Sequence, residues 1–92
     1  MTNEKSNLTK IGRFKEQKDT RLLKLRYWRE RVGLKQDDLA LLLGCKRANY
    51  SQKENGRTNI TLTEMLKIQN AINKRLVKMG LTQVTLDDLF IN

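Results

Sequence analysis

Residues 44–56, GCKRANYSQKENG, form a short segment rich in side chains that donate and accept hydrogen bonds. Seven of the eleven residues between its two glycines are Lys, Arg, Asn, Gln or Glu, so the segment has little apolar surface to bury. On a helical period of 3.6 residues, Tyr50 and Glu54 share one face. The opposite face carries Arg47, Ala48, Ser51 and Gln52. Such a polar face is either solvated or forms hydrogen bonds with a partner.

The charge balance of the chain indicates a polyanionic partner. The 92 residues include 19 Lys and Arg against 10 Asp and Glu, a formal net charge of +9. An excess of this size attracts nucleic acid, an acidic membrane or an acidic protein. No apolar run approaches the roughly 18–20 residues that a membrane span needs. The first residues, MTNEKSNLTK, lack the apolar stretch of a secretion signal. We therefore expect a cytoplasmic protein. We expect no membrane partner either, because the leucine faces of the helices are needed inside the bundle.

The residue types give little support to catalysis or metal binding. The chain contains no histidine and one cysteine, Cys45, which excludes a disulfide framework, a Cys/His zinc site and histidine-based catalysis. Cys45 adjoins Lys46 and Arg47, whose positive charges would favour the thiolate of a redox sensor. A small, semi-buried turn residue is the simpler interpretation of Cys45. The chain has no glycine-rich phosphate loop either. We expect a protein that is not an enzyme and that needs no cofactor or metal.

The hydrophobic periodicity predicts an all-α, compact bundle of about five helices. Glycines and capping boxes such as Thr61–Glu64 set the boundaries. The predicted helices run from Asp19/Thr20 to Gly33, over 36–43, over about 46–54, from Thr61 towards Gly80, and over a last turn at 85–88 that leads into Leu89-Phe90. Residues 1–18 are polar and basic, and we expect them to be a flexible arm ahead of a single domain at 19–92.

Two of these helices form a characteristic pair. The helices at 36–43 and 46–54 are joined by a turn of about three residues that contains Gly44, and Ala40 is small enough to let them approach closely. A short, steeply crossing pair with a glycine turn is the helix-turn-helix unit, which places its second helix in the major groove of DNA. The predicted unit spans 36–54.

The residues around this pair resemble the lambda-repressor/Cro-like (XRE) family of prokaryotic helix-turn-helix regulators. LRYWRERVGLKQDDLALLLGCKRANYSQKENG is similar to that family's pattern of L-R-x-L-R-x-x-x-G-L-x-Q, then L-A, G and a short polar helix ending in E-N-G. The resemblance covers about residues 22–72 and resumes at 84–90. The matching residues are Leu25, Trp28, Arg29, Gly33, Leu34, Gln36, Leu39, Ala40, Gly44, Glu54, Asn55 and Gly56. The resemblance implies a lambda-repressor-like fold and a sequence-specific DNA-binding regulator of transcription.

The resemblance also places helix 46–54 in the major groove. The side chains predicted to contact bases are Arg47, Ala48, Ser51 and Gln52. Arginine can form two hydrogen bonds with O6 and N7 of guanine, and glutamine can form two with N6 and N7 of adenine. The methyl group of alanine can contact the methyl group of thymine. Lys35 and Lys46 stand where Ser, Thr or Asn caps are expected, and both helix starts approach the phosphate backbone in such complexes. The predicted phosphate contacts are Lys35, Gln36, Lys46, Asn49, Asn55 and Arg57.

Three further residues have architectural roles. The resemblance implies that Arg29, on the core side of its helix, pairs with Glu54, which closes the buried face of the recognition helix. Lys53 stands where the family usually has an apolar residue. We expect its methylenes to cover the core while its amine reaches outward.

Residues 73–83, NKRLVKMGLTQ, are extra relative to the usual family layout. They are either a helix extension with a solvated face of Lys74, Arg75 and Lys78, or part of a dimer surface. One helix-turn-helix reads only a few base pairs, so a homodimer on an inverted-repeat operator is expected. The candidate dimer surface is Leu76, Val77, Met79, Leu81, Leu89, Phe90 and Ile91.

Two functional interpretations follow. The first is a homodimeric repressor that binds double-stranded DNA and is controlled either by its own concentration or by a protein partner such as an antirepressor. The second is an antitoxin that binds its toxin through the C-terminal region and regulates its own operon.

The basic arm has two possible roles. It is either a solvated tail or a non-specific DNA contact, and its cations are Lys5, Lys10, Arg13, Lys15 and Lys18.

Overall fold

The computed structural model describes residues 19–91, which contain five α-helices and no strand. The helices are α1 (Leu23–Arg31), α2 (Gln36–Leu43), α3 (Arg47–Glu54), α4 (Leu62–Lys78) and α5 (Leu86–Phe90). The predicted all-α class and the number of helices are confirmed. The predicted arm at 1–18 lies outside the described residues.

The apolar core lies where all five helices meet. The long helix α4 contributes Ile68, Ile72 and Leu76 at four-residue intervals, so one stripe of this helix is fully buried. Each of the other helices contributes at least one fully buried side chain to the same core. The buried apolar residues are Leu25, Val32, Leu34, Leu39, Ala40, Tyr50, Ile68, Ile72, Leu76, Val84 and Leu89.

Helix α1 begins later than the periodicity predicts. The expected start was Asp19/Thr20, whereas the first helical residue is Leu23. Asp19 instead accepts hydrogen bonds from the backbone and the guanidinium of Arg21. The Leu22 amide donates to the Glu54 carbonyl at 2.8 Å, so the chain crosses the end of α3 before it turns into α1. A tertiary hydrogen bond therefore replaces the first predicted helical turn.

The turn between α2 and α3 has the geometry that the pair requires. Gly44 adopts the left-handed conformation, with φ of 73°, and its amide donates to the Leu41 carbonyl at 3.1 Å. The Cys45 amide donates to the Ala40 carbonyl at 3.0 Å, which completes a Schellman motif. Ala40 is almost fully buried. The chain can thus reverse from α2 into α3 in three residues.

The segment that follows α4 is attached to that helix by side-chain amides. The Asn73 amide accepts from the Val84 N–H at 2.8 Å and donates to the Val84 carbonyl at 3.0 Å. Gln69 also donates to this carbonyl, at 3.1 Å. These bonds hold Val84 against α4, immediately before α5 turns back onto the core. The part of the chain extra to the usual layout is therefore integral to the bundle.

This packing corrects the predicted dimer surface at two positions. Leu76 and Leu89 are fully buried within the protomer, because α5 packs against α1 and α4. They belong to the core and cannot contact another copy. Phe90 is half-buried against the core, while Val77, Met79, Leu81 and Ile91 are exposed.

Candidate nucleic-acid interface

Helix α3 is divided into a buried side and an exposed polar side. Tyr50 and Glu54 are buried on the first side. On the other side, Arg47, Ala48 and Gln52 are exposed. Ser51 is half-buried, and its hydroxyl accepts from the Asn55 amide at 3.4 Å. Three of the four predicted base-reading side chains are thus fully available to a partner, and the fourth lies at the edge of the same face.

Three side chains donate hydrogen bonds to the carboxylate of Glu54. With Glu54 they form the Glu54 cluster, which consists of Arg29, Gln36, Tyr50 and Glu54 and attaches α3 to α1 and α2. Arg29 of α1 donates to both carboxylate oxygens, Nε to Oε1 at 2.8 Å and Nη2 to Oε2 at 3.0 Å. The Tyr50 hydroxyl donates to Oε1 at 2.8 Å. Gln36, the first residue of α2, donates to Oε2 at 3.2 Å. The carboxylate therefore links α1, α2 and α3.

The electrostatics of this cluster favour the charged pair. Burial opposes ionisation of Glu54, but hydrogen bonds from Arg29, Tyr50 and Gln36 outweigh it and lower the pKa of Glu54. Burial likewise opposes the charge of Arg29, yet Glu54 raises the pKa of Arg29. Burial and the adjacent carboxylate raise the pKa of Tyr50. The carboxylate thus remains ionised and the phenol remains a donor at neutral pH.

Two residues in the Glu54 cluster do more than the sequence indicated. The helical period places Tyr50 on the same face as Glu54, but it does not by itself predict the hydrogen bond between them. Their i, i+4 spacing on a helix was the available signal. Gln36 was predicted to contact phosphate, whereas its side chain is half-buried and committed to Glu54. The backbone amide of Gln36 at the start of α2 remains a candidate phosphate donor.

The other predicted phosphate contacts lie at helix ends. Lys35 and Lys46 occupy the N-cap positions of α2 and α3, are exposed, and supply no side-chain cap to either helix. Asp38 accepts from the Lys35 amide at 2.8 Å. Asn49 and Arg57 are also exposed. Asn55 is half-buried, and its carbonyl accepts from the Thr20 hydroxyl at 3.1 Å.

A polar cleft of about 820 Å³ lies where α1, α2 and α3 meet. Arg26, Lys35 and Arg47 supply cations to its lining, and Asn55 lies at the end of α3. Sequence reasoning missed Arg26, because nothing in the sequence alone shows which side of α1 faces the start of α2. Glu30, Asp37 and Glu54 line the same cleft. Arg26 lies 3.3 Å from Glu30 and Arg47 lies 4.0 Å from Asp37, both as exposed pairs, so these cations can exchange their carboxylate for another acceptor at small cost.

Asp37 lies close to one of the predicted base-reading side chains, Arg47. Its Oδ1 lies 4.0 Å from Nε of Arg47, and both side chains are about two-thirds exposed, at 68% and 67%. Exposed pairs with such geometry contribute little free energy. Arg47 can therefore leave Asp37 at small cost when another acceptor is presented.

Two cations behave differently from the sequence-based expectation. The Lys53 amine does not reach outward: it donates to the Asn59 carbonyl at 2.9 Å and to Glu64 at 3.3 Å. It thereby attaches α3 to the start of α4, where Thr61 and Glu64 form the predicted capping box. Arg75 is not simply solvated either, since it donates to the Val32 carbonyl at the end of α1 at 3.2 Å.

Comparison with known protein families places the chain among helix-turn-helix proteins. The model of a helix-turn-helix family matches residues 25–79, which is more than half of the chain. The chain belongs to the lambda-repressor/Cro-like (XRE) helix-turn-helix family. Comparison with the curated proteins and comparison with the solved structures each found no significant match.

As a member of this helix-turn-helix family, the protein is a DNA-binding transcriptional regulator. The family is generally non-enzymatic. Within residues 19–91, no helix is long and apolar enough to cross a membrane, and no group of three or more His, Cys, Asp or Glu side chains is arranged to hold a metal ion.

Proposed function

We propose that this helix-turn-helix protein is a sequence-specific repressor that binds an inverted-repeat operator as a homodimer, with α3 in the major groove. The observation that carries the proposal is the division of α3. One side is anchored by the buried Glu54 cluster, while the other presents Arg47, Ala48 and Gln52 to solvent. A rigidly held polar face is what direct reading of base edges requires.

Base contacts are assigned by the chemistry of the exposed side chains. We expect Arg47 to form two hydrogen bonds with guanine, Gln52 to form two with adenine, and the Ala48 methyl group to contact the methyl group of thymine. Ser51 lies at the edge of this face and contacts either a base or the backbone. Specificity then rests on α3, because phosphate contacts position a protein on DNA without reading sequence.

Phosphate contacts surround this face. Lys35, Lys46, Asn49 and Arg57 are exposed, and the Gln36 amide and Asn55 flank the polar cleft. Arg26 joins this set because it lines the same cleft. Together these groups surround the recognition face with positive charge and with amide donors.

The proposed dimer surface is the exposed part of the C-terminal region. Val77, Met79, Leu81 and Ile91 are large apolar side chains that are each at least 39% exposed. Apolar residues that a protomer leaves exposed in one region are suited to an isologous contact. A small protein that occupies an operator blocks transcription by exclusion, so repression in the cytoplasm is the simplest outcome. The family match does not favour the antitoxin alternative.

Selection of bound sites from a random pool of duplex DNA tests this function. We expect an inverted repeat whose half-sites are about one helical turn apart, roughly 34 Å. Repeating the selection with Gln52→Ala should relax the preference at one position of each half-site and leave the others unchanged. Recovery of sites without sequence preference contradicts sequence-specific regulation. Transcription in vitro from a promoter that overlaps the selected site then distinguishes repression from activation.

A further inference from the structure

A second depression, the α2–α4 groove, lies between α2, the end of α1 and one face of α4. Its volume is about 620 Å³. Val32, Leu34 and Ala71 form an apolar floor, and Leu42 and Met79 stand at the edges, 39% and 45% exposed. The groove shares only Leu34 with the polar cleft beside the recognition face. It is therefore separate from that cleft, and it borders the proposed dimer surface at Met79.

Every charged side chain that lines the α2–α4 groove is a cation. Lys67, Lys74, Arg75 and Lys78 follow one another along a single face of α4. Arg75 donates to the Val32 carbonyl, whereas the three lysines form no ion pair with any carboxylate of residues 19–91. An apolar floor is thus bordered by three amines that have no acidic partner in this part of the chain.

Neither DNA nor a second copy suits this combination. DNA phosphates bind cations and amide groups and gain nothing from an apolar floor. The predicted base-reading face of α3 lies beside the polar cleft, away from this groove. A second copy docked groove to groove would place the same row of lysines opposite this one, and like charges placed opposite one another disfavour association. The complementary occupant is apolar along its centre and acidic along its sides.

We propose that the α2–α4 groove is a docking site for an acidic amphipathic helix of another protein. Such a helix would place its apolar stripe on Ala71 and Leu42 and its carboxylates opposite Lys67, Lys74 and Lys78. Laying an amphipathic helix into an apolar groove is a common mode of peptide recognition, and opposite charges fix its register. The site goes beyond the proposed DNA-binding function and leaves α3 free for DNA.

A model peptide provides the test. The probe is a fluorescein-labelled helix of about 16 residues with leucines at i, i+3, i+4 and i+7 and glutamates on its flanks. We expect saturable binding to the full chain by fluorescence anisotropy. Backbone chemical-shift changes should be confined to α2, α4 and the end of α1. A peptide with lysine in place of every glutamate should not bind.

Matched variants separate groove binding from general charge attraction. Lys74→Glu should weaken binding of the peptide about tenfold, while Arg31→Glu, an exposed cation of α1 outside the groove, should change it much less. Leu42→Ser should also weaken binding, whereas Leu41→Ser should not, because Leu41 is 82% exposed and does not line the groove. Thermal unfolding of all four variants verifies that each one folds.

Several outcomes would overturn the proposal. Absence of saturable binding, or equal effects of Leu41→Ser and Leu42→Ser, shows that the groove does not recognise the helix. Loss of operator DNA affinity in Lys74→Glu, greater than in Arg31→Glu, assigns these amines to DNA. Loss of self-association in Leu42→Ser makes the groove an interface between copies. None of these outcomes changes the expected base preference of α3, which is measured by site selection. The docking proposal and the proposed function can therefore fail separately.

Discussion

Arg29 and Glu54, 25 residues apart in sequence, form a two-pronged ion pair in the interior, at 2.8 and 3.0 Å. Their side chains are 8% and 5% exposed. Arg29 also donates to the Leu34 carbonyl at 2.9 Å, so a single guanidinium holds the end of α3 and the turn that leads to α2. The orientation of the recognition helix therefore depends on a charge that is buried and paired.

Glu54→Ala should destabilise the fold and weaken DNA binding together. It leaves the Arg29 guanidinium buried without its partner and removes the acceptor of Tyr50 and Gln36, a change that costs about 3–5 kcal/mol. We expect the melting temperature to fall by more than about 10 °C, as measured by circular dichroism.

Glu30→Ala is the matched control for that change. Glu30 is on α1, pairs with Arg26 at 3.3 Å and lies 3.8 Å from Arg29, but its side chain is 56% exposed. Its removal leaves the pair of Arg29 with Glu54 in place and should cost less than about 1 kcal/mol. Equal stability of the Glu54→Ala variant and the wild type would show that the buried pair does not support the fold.

The same cluster predicts how stability depends on pH. The pKa of Glu54 is lower in the folded protein than the value of about 4.3 in an unfolded chain. Ionised Glu54 therefore stabilises the fold above about pH 4.3, and this contribution is lost as the pH falls through the folded pKa. The difference in free energy of unfolding between wild type and Glu54→Gln should be large at pH 7 and shrink below about pH 4. Urea titrations across this range measure it. A difference that is constant with pH contradicts the assignment.

Local signals predicted α2 to α5 well. Thr61 and Thr85 cap α4 and α5 as expected, because a capping box needs only residues three apart. The start of α1 could not be predicted, since it depends on the hydrogen bond from the Leu22 amide to α3. Long-range contacts of this kind leave no trace in periodicity.

The candidate site shows the same limit of sequence reasoning. Which polar residues share the exposed face of α3 follows from its helical period. Gln36 donates a hydrogen bond to Glu54, and Lys53 donates one to Glu64. Both bonds join different helices, so they depend on how those helices pack and cannot be predicted from the sequence of one helix. The burial of Leu76 and Leu89, which removes them from the dimer surface, requires knowing where α5 packs. The sequence shows that these residues are apolar, but it does not show whether they are buried in the protomer or exposed to a second copy.

Gly56→Ala should be more costly than an ordinary substitution of a left-handed glycine. Gly56 has φ of 75°, and an added Cβ would meet the Thr20 carbonyl oxygen and lie 2.7 Å from its carbonyl carbon. Because these are backbone atoms, the segment ahead of α1 would have to leave the end of α3. Gly80→Ala, at φ of 76° with no atom within 4 Å of the new Cβ, should cost only about 1–2 kcal/mol. Denaturant unfolding of both variants compares them, and equal losses would contradict the close approach of Thr20.

Lys35 and Lys46 should contribute to DNA affinity without contributing to specificity. Both are exposed at helix N-caps, where they oppose the helix dipole unless a phosphate lies opposite. Lys35→Gln/Lys46→Gln should make the plot of log K against log salt shallower by about 1.8, or about 0.9 per contact, between about 50 and 200 mM salt. The order of preference among operator variants should not change.

Lys67→Gln is the control for this salt dependence, since Lys67 lines the α2–α4 groove and should leave the slope unchanged. Fluorescence anisotropy with labelled operator DNA gives all three slopes. An unaltered slope in the double variant would show that these amines do not contact phosphate.

Val77→Glu should separate dimerisation from reading of a half-site. Val77 is 56% exposed and follows a fully buried leucine on α4, so a glutamate there leaves the protomer folded while a carboxylate enters the proposed interface. Sedimentation should show a monomer, and affinity for the inverted repeat should fall while affinity for one half-site is kept. Leu66→Glu, on the same helix, 48% exposed and outside the proposed surface, should remain dimeric. Self-association that persists in Val77→Glu places the dimer contact elsewhere, because a buried carboxylate without a partner is strongly disfavoured.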